Sequence, residues 1–193
     1  MIKVHIMVGV SASGKTTISK TIAKKEKAIR LSSDEIRLDL INKGVLDKES
    51  AFTPDGHAVV FRIMYYLQAK QLVRKGNDIL LDAQQIRLSD RQGIFNALKE
   101  FDCYFIAHVM MTDKAECERR YKKRDMGEDN FYPFQVPQRK TMDDRFKMFV
   151  MPTKEEGFDE IRYITEEEQN QNFQKACSPS LRGAERRSNP TGA

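Results

Sequence analysis

Residues 2–8, Ile-Lys-Val-His-Ile-Met-Val, are mostly β-formers and stop at Gly9, which predicts a buried strand. A Gly/Ser loop follows, and residues 16–25, rich in Ala, Ile and Lys, read as a helix. Residues 28–31 form a short second strand pattern. Ser32-Ser33-Asp34-Glu35 then supply capping side chains ahead of Ile36, Leu38, Leu40 and Ile41, a helical spacing that Lys43-Gly44 ends. Residues 57–75 read as one long amphipathic helix with Val60, Ile63, Met64 and Leu67 as its core stripe, closed by Gly76. A short apolar strand bounded by carboxylates spans 78–82, a helix 89–101, a strand 104–111 and a charged helix 114–124. Residues 125–137, with Gly127, Pro133 and Pro137, are irregular; a helix over 140–149, a break at Pro152 and a last strand over 160–164 complete the series.

Strands alternating with helices imply a mostly parallel sheet covered on both faces, and right-handed crossovers make a three-layer α/β/α sandwich. The strand–loop–helix opening, with Gly9 and Gly14-Lys15-Thr16 in its loop, predicts a P-loop NTPase fold. No repeat of 20–50 residues is visible. From Glu166 the chain turns polar, and 178–193 hold Ser, Pro, Gly and Arg with little to bury. The expectation is one domain over 1–165 and a disordered tail over 166–193.

Composition narrows the class. The 193 residues are 40% hydrophobic and 32% charged, enough for a core under a solvated surface. A net charge of +5 suits an anionic ligand without specifying one. No apolar run is long enough to span a bilayer. Cys103, Cys117 and Cys177 are odd in number and scattered, which argues against a disulfide framework or a zinc site. A reduced, cytoplasmic globular protein is expected.

Gly9-Val10-Ser11-Ala12-Ser13-Gly14-Lys15-Thr16 fits G-x-x-x-x-G-K-[ST] without a gap, between a predicted strand and a predicted helix. The spacing has a physical reason. Two glycines allow backbone conformations and approaches that a Cβ would obstruct, so the amides of Ser11, Ala12, Ser13 and their neighbours turn inward on phosphate oxygens beside a helix N-terminus. Lys15 is expected to reach the β- and γ-phosphates and the Thr16 hydroxyl to join a Mg²⁺ shell. This predicts nucleoside triphosphate binding.

No N-K-x-D stands where a GTPase would need it, and the chain is short for a motor, so a small P-loop kinase suits the size. Such an enzyme needs a base for the acceptor hydroxyl. Asp34 is the candidate, because it follows the second strand and the C-terminal strand ends of a parallel sheet share one rim with the P-loop. Arg37 lies one helical turn on, placed to hold an anionic group of the acceptor. The alternative is an N-cap aspartate beside a surface arginine.

Five stretches together resemble the polynucleotide 5′-hydroxyl kinase family, in particular the kinase half of the phage end-healing enzyme. They are the P-loop followed by Ser32-Ser33-Asp34-Glu35-Ile36-Arg37; Leu80-Leu81-Asp82-Ala83-Gln84-Gln85; Arg120-Tyr121-Lys122-Lys123-Arg124; Val136-Pro137 with Met142, Phe146 and Phe149; and Pro152-Thr153-Lys154-Glu155-Glu156-Gly157-Phe158-Asp159-Glu160-Ile161. The resemblance covers about residues 1–165 and implies a helical lid over about 114–137. It implies that Asp34 is the general base, that Arg37 contacts the phosphate next to the acceptor nucleoside, and that Asp82 orders Arg37 or a magnesium-bound water. It further implies that Arg124, helped by Arg120, closes over the β- and γ-phosphates, and that Thr17 adds a phosphate contact. Gln84 and Ala83 stand where the family has Asn and Thr, and the phage enzyme's phosphatase half is absent.

The resulting expectation is an ATP- and Mg²⁺-dependent kinase of RNA or DNA 5′-hydroxyl ends, serving nucleic-acid repair. The alternative is a kinase of the same fold acting on a small-molecule hydroxyl: a sugar acid, nucleoside, antibiotic or aminoacyl group. A homo-oligomer is implied only in that related kinases are often multimers. His5, His57 and His108 show no ligand spacing, and His5 reads as a core or edge residue.

Overall fold

The computed structural model describes residues 1–125, 133 and 141–169, without the side chains of 124 and 125. Five strands, β1 (Ile2–Val8), β2 (Ile29–Ser32), β3 (Ile79–Asp82), β4 (Cys103–Met110) and β5 (Glu160–Ile164), form one parallel sheet in the order β2-β3-β1-β4-β5. This is the doubly covered α/β architecture that the strand–helix alternation predicts. The helices among the described residues are α1 (Lys15–Glu26), α2 (Ser33–Asn42), α3 (Pro54–Arg62), α4 (Lys70–Arg74), α5 (Leu88–Leu98), α6 (Lys114–Asp125) and α7 (Met142–Lys147).

Alternation along the strands divides the core. Val4, Ile6, Val8, Ile79, Leu81 and Val109 point to one face and pack with Ile36 and Leu40 of α2, Val60 of α3 and Ile94 of α5. Met7, Leu80 and Met110 point to the other and meet Ile18 and Ala23 of α1. The middle strands are buried on both faces, which is why they read as near-continuous apolar runs.

The segment expected as one helix over 57–75 starts earlier and changes its pitch. Thr53 is its N-cap, accepting from the Gly56 amide at 3.1 Å, with Pro54 in the first turn. A π-helix over Ile63–Ala69 then joins α3 to α4. The wider turn rotates the expected stripe: Leu67 is 60% exposed, whereas Tyr65 is buried.

The expected tail does not begin at 166. Residues 166–169 form a helical turn, and Gln169 is buried. Thr165 and Glu168 make a reciprocal cap, the Glu168 amide donating to Thr165 Oγ1 at 3.3 Å and the Thr165 amide to Glu168 Oε2 at 2.9 Å. The expectations for 126–132 and 134–140, most of the irregular part of the lid, and for 170–193 lie outside the described residues. No helix among the described residues is long and apolar enough to cross a membrane.

Candidate active site

The phosphate-cradle sequence occupies the turn from β1 into α1. Gly14 is the N-cap of α1 with φ 89°, a left-handed conformation that disfavours any side chain. At Gly9 a Cβ would come within 2.8 Å of Ser13 Oγ and 2.9 Å of Met110 Cβ, so the loop packs against β4 only with glycine there. The loop is also tied from β3: the Gly9 amide donates to Gln84 O at 2.9 Å, and Gln84 Nε2 donates to Ser11 Oγ at 2.6 Å. Gln84, one of the departures from the family pattern, thus braces the cradle directly. On the other side Thr112 Oγ1 donates to Ser13 O at 2.9 Å.

Lys15 is buried, and its ammonium donates to Val10 O at 2.6 Å, folded over the loop it serves. Ser13 Oγ is buried with no partner among the described residues. Thr16 and Thr17 are exposed at the helix start. Concentrated backbone donors, a lysine and a helix N-terminus make a site for a polyphosphate. Cys117 is buried nearby, its thiol pushed up to about 11 by burial, so it stays protonated and unreactive at neutral pH.

Asp34 lies in the first turn of α2, whose N-cap Ser32 accepts from the Glu35 amide at 3.4 Å. β2 and β1 flank β3, so Asp34 and the cradle stand on the same rim of the sheet. Its side chain is 51% exposed. The sequence expectation for Arg37 is revised here. Arg37 is buried rather than presented to solvent: Nη1 donates to Asp34 Oδ1 at 2.9 Å, Nε to Ala51 O at 3.1 Å, and Nη2 meets His57 Nδ1 at 3.0 Å. Its guanidinium lies 5.1 Å from the centre of the Phe52 ring. In this arrangement it clamps the Asp34 carboxylate. A guanidinium has no acceptor, so His57 receives the hydrogen at Nδ1 and is the Nε2–H neutral tautomer. The dispersed histidine pattern gave His57 no role; only the folded contact gives it one.

Asp82 is also reassigned. Its described hydrogen bonds go to Ser19 and Arg30 rather than to Arg37. Its Oδ2 accepts from Ser19 Oγ at 2.6 Å and from Arg30 Nη2 at 2.6 Å and Nε at 3.0 Å. The cause is register: Ser32 pairs with Asp82, which brings Arg30 of β2 alongside β3. Burial works against the Arg30 charge, but Asp82 and Glu35 overcome it and raise its pKa.

Arg120 of α6 stands beside the cradle, 3.3 Å from where a Gly14 Cβ would be. Glu116 Oε1 accepts from its Nε at 2.6 Å, and Gln169 Oε1 from its Nη1 at 3.2 Å. Gln169 Nε2 donates in turn to Thr112 Oγ1 at 2.8 Å. The Arg119 and Arg120 guanidiniums hold the Glu116 carboxyl down to about 2. Arg124 belongs to α6, and its side chain is outside the described residues.

One strut was not foreseen. Arg91 is fully buried and forms a two-pronged pair with Glu156, Nε to Oε2 at 2.6 Å and Nη2 to Oε1 at 2.7 Å. Its Nη1 donates to Gln85 O and Val150 O, both at 3.0 Å. The Glu-Glu-Gly-Phe-Asp stretch thereby anchors the turn after β3 that carries Gln84.

Residues 4–149 match a family model described as an AAA domain. The chain belongs to that family. No curated protein matches it. Among solved structures it is similar to a candidate kinase from Chloroflexus aurantiacus, at 19% identity over 91% of this chain and 96% of that one, with a TM-score of 0.67. A sugar kinase from Janibacter sp. aligns at 15% identity over 91% and 92%, TM-score 0.60. The APS kinase of Mycobacterium tuberculosis, solved with AMPPNP and APS, aligns at 19% identity over 91% and 95%, TM-score 0.56. The fold is therefore that of the P-loop kinases.

Proposed function

We propose that the chain is an ATP-dependent kinase that phosphorylates a hydroxyl of a small molecule. The observation that carries this reading is the clamped carboxylate: Asp34, half-exposed on the cradle's rim, held at Oδ1 by a buried arginine. An acceptor alcohol needs an oriented base on that rim to take its proton. Sugar kinase and APS kinase among the similar folds support a small acceptor. The alternative acceptor, a nucleic-acid 5′-hydroxyl end, fits less well. That reading wants Arg37 offered to a backbone phosphate, and Arg37 is instead buried and bonded to Asp34, Ala51 and His57.

The triphosphate would lie in the loop from Gly9 to Thr16, with Lys15 released from Val10 O to the phosphates. The acceptor hydroxyl gives its proton to the Asp34 carboxylate as its oxygen forms a bond to the γ-phosphorus. The bond from that phosphorus to the bridging oxygen breaks, and ADP leaves with the electron pair. Lys15 and Arg120 would offset charge on the equatorial oxygens, with Arg124 closing from α6. Thr17 would add its hydroxyl to the phosphate shell. Mg²⁺ would neutralise phosphate charge when bound. The Thr16 hydroxyl with phosphate oxygens and water would hold it, and Asp82 would contribute only through Oδ1, since Oδ2 is engaged by Ser19 and Arg30.

Asp34→Asn tests the assignment. Transfer of the γ-phosphate is expected to fall roughly 10²–10⁴-fold while ATP affinity stays within about twofold. Full activity in that variant would remove the base from the scheme.

A further inference from the structure

The last described turn of the chain lies outside the stretch that matches the family model and beyond the domain that the sequence predicts, yet it sits on the phosphate cradle. Residues 166–169 follow β5, and two of their side chains reach the connection between β4 and α6. Glu166 Oε1 accepts from the Asp113 amide at 3.3 Å, and Asp113 Oδ1 accepts from the Glu116 amide at 2.7 Å in the first turn of α6. Gln169, which is buried, reaches further. Its Oε1 stands 2.8 Å from where a Gly14 Cβ would be, so the amide packs on the cradle itself.

The hydrogen bonds fix how that amide is turned. A threonine hydroxyl has one hydrogen, and Thr112 gives it to Ser13 O, a carbonyl that can only accept. Thr112 Oγ1 therefore accepts from Gln169, and Nε2 is the end that faces it, at 2.8 Å. Oε1 is left facing Arg120 and accepts from its Nη1 at 3.2 Å. The result is one chain of donors running one way: Arg120 to Gln169, Gln169 to Thr112, Thr112 to Ser13 of the cradle. Each bond in such a series polarises the next. Arg120 is also held from its own helix, where Glu116 Oε1 accepts from its Nε. Among the described residues these contacts take two of its five N–H groups, so the rest of the fork stays for phosphate oxygens.

We infer that Gln169 is a positioning residue of the triphosphate site: it holds the Arg120 guanidinium against the cradle before the nucleotide arrives, so that the C-terminal turn belongs to the donor site. The inference deepens the kinase reading on its donor side and rests only on the triphosphate-binding half of it. Preorganisation is the physical gain. An arginine free on a helix face loses side-chain freedom when it binds an anion, and one already fixed by Glu116 and Gln169 loses less.

The full chain is titrated by calorimetry, in the presence of Mg²⁺, with a non-hydrolysable ATP analogue and separately with inorganic tripolyphosphate, which has no base. Gln169→Met keeps the length of the side chain and removes both hydrogen bonds. It is expected to raise Kd for the two ligands by a similar factor, on the order of five- to tenfold. When it is added to Arg120→Gln, the further change should be less than about twofold, because Gln169 acts through the arginine. Thr112→Val breaks the middle link and should lose a comparable factor, which Thr112→Ser should recover; this pair carries the test where Gln169→Met does not fold. An unchanged Kd in Gln169→Met, or a loss of the same size with and without Arg120, would overturn the assignment. So would a loss confined to the nucleotide, which would place Gln169 at the base or ribose instead. The expected dependence in a chain that phosphorylates no alcohol would uphold the role of Gln169 and sink the kinase reading.

Discussion

The two sides of the rim are built on different principles. On the phosphate side, eight consecutive residues set the geometry, and the fixing contacts are backbone amides, a left-handed Gly14 and a buried Lys15. On the acceptor side, Asp34 is half-exposed and is held by Arg37, itself tied to Ala51 and His57, so the contacts come from two helices and a turn. The first site exists as soon as a strand meets a helix. The second exists only when α2, the following 3₁₀ turn (Ser50–Phe52) and α3 have docked. Phosphate binding is therefore the robust property, and acceptor choice the adjustable one.

The largest effect should come from the phosphate side. Lys15→Ala removes the only side-chain charge in the cradle turn and is expected to lower transfer at least about 10³-fold and to weaken ATP binding as well. Paired with Asp34→Asn, it separates the two sides: one variant loses affinity and rate, the other rate alone. Equal loss of ATP affinity in both, measured by calorimetry, would erase the contrast.

The strut behind both sides comes next. Glu156→Gln leaves Arg91 fully buried opposite a neutral amide and should destabilise the fold by roughly 3–5 kcal/mol, read as a lowered denaturation midpoint. Unchanged stability would mean that Gln85 O and Val150 O suffice for the guanidinium. The replacement of both partners by apolar side chains is expected to cost much less than the single change.

What was legible follows the same division. The cradle and the five strands are written in contiguous patterns of eight residues or fewer, and the parallel sense follows from the alternation of strands with helices, whereas the order β2-β3-β1-β4-β5 does not. Asp34 was readable as a candidate because capping residues follow a strand. The Thr-x-x-Glu signature at Thr165–Glu168 was equally local and would have revealed the helical turn that seats Gln169. Arg37 with His57, Arg30 with Asp82, and Arg91 with Glu156 were not readable as pairs. Each joins ordinary surface-type residues 20, 52 and 65 positions apart, a relation that no local periodicity records. The π-helix was hidden for a related reason. A 3.6-residue stripe predicts Leu67 inside, and only the packing of Tyr65 toward Gln85 selects the wider turn.

Acid should act on the core beneath the two sites. His5 and His108 face each other across β1 and β4, Nδ1 to Nε2 at 3.0 Å, with the rings stacked at 5.2 Å. Burial, with each other's charge and Arg162 added, pushes His108 down to about 3, and burial lowers His5. Both pKa values lie below the unfolded value of about 6.5. The unfolded chain therefore binds more protons, and their contribution is intact above pH 6.5 and is lost as pH falls toward 3. His108 alone implies a loss of roughly 3–5 kcal/mol across that window. Chemical denaturation at pH 7.5 and pH 5 should already read about 2 kcal/mol of that loss, and His108→Gln should flatten the slope. A pH-independent midpoint would show that the pair is not the acid-sensitive element.

The smallest effect tests whether the acceptor side depends on its relay. His57→Phe keeps a ring between Arg37 and Phe61 but removes the Nδ1 acceptor. Arg37 then has one fewer anchor, and Asp34 sits less often in the productive position, so kcat should fall about tenfold with KM for ATP unchanged. His57→Asn returns an acceptor oxygen close to the place of Nδ1 and should recover most of the loss, although it gives up the stack on Phe61. If Asn were no better than Phe, the ring contact rather than the hydrogen bond would be what holds the clamp. The acceptor side would then be organised by packing, and the contrast between the two halves of the rim would lie in rigidity alone.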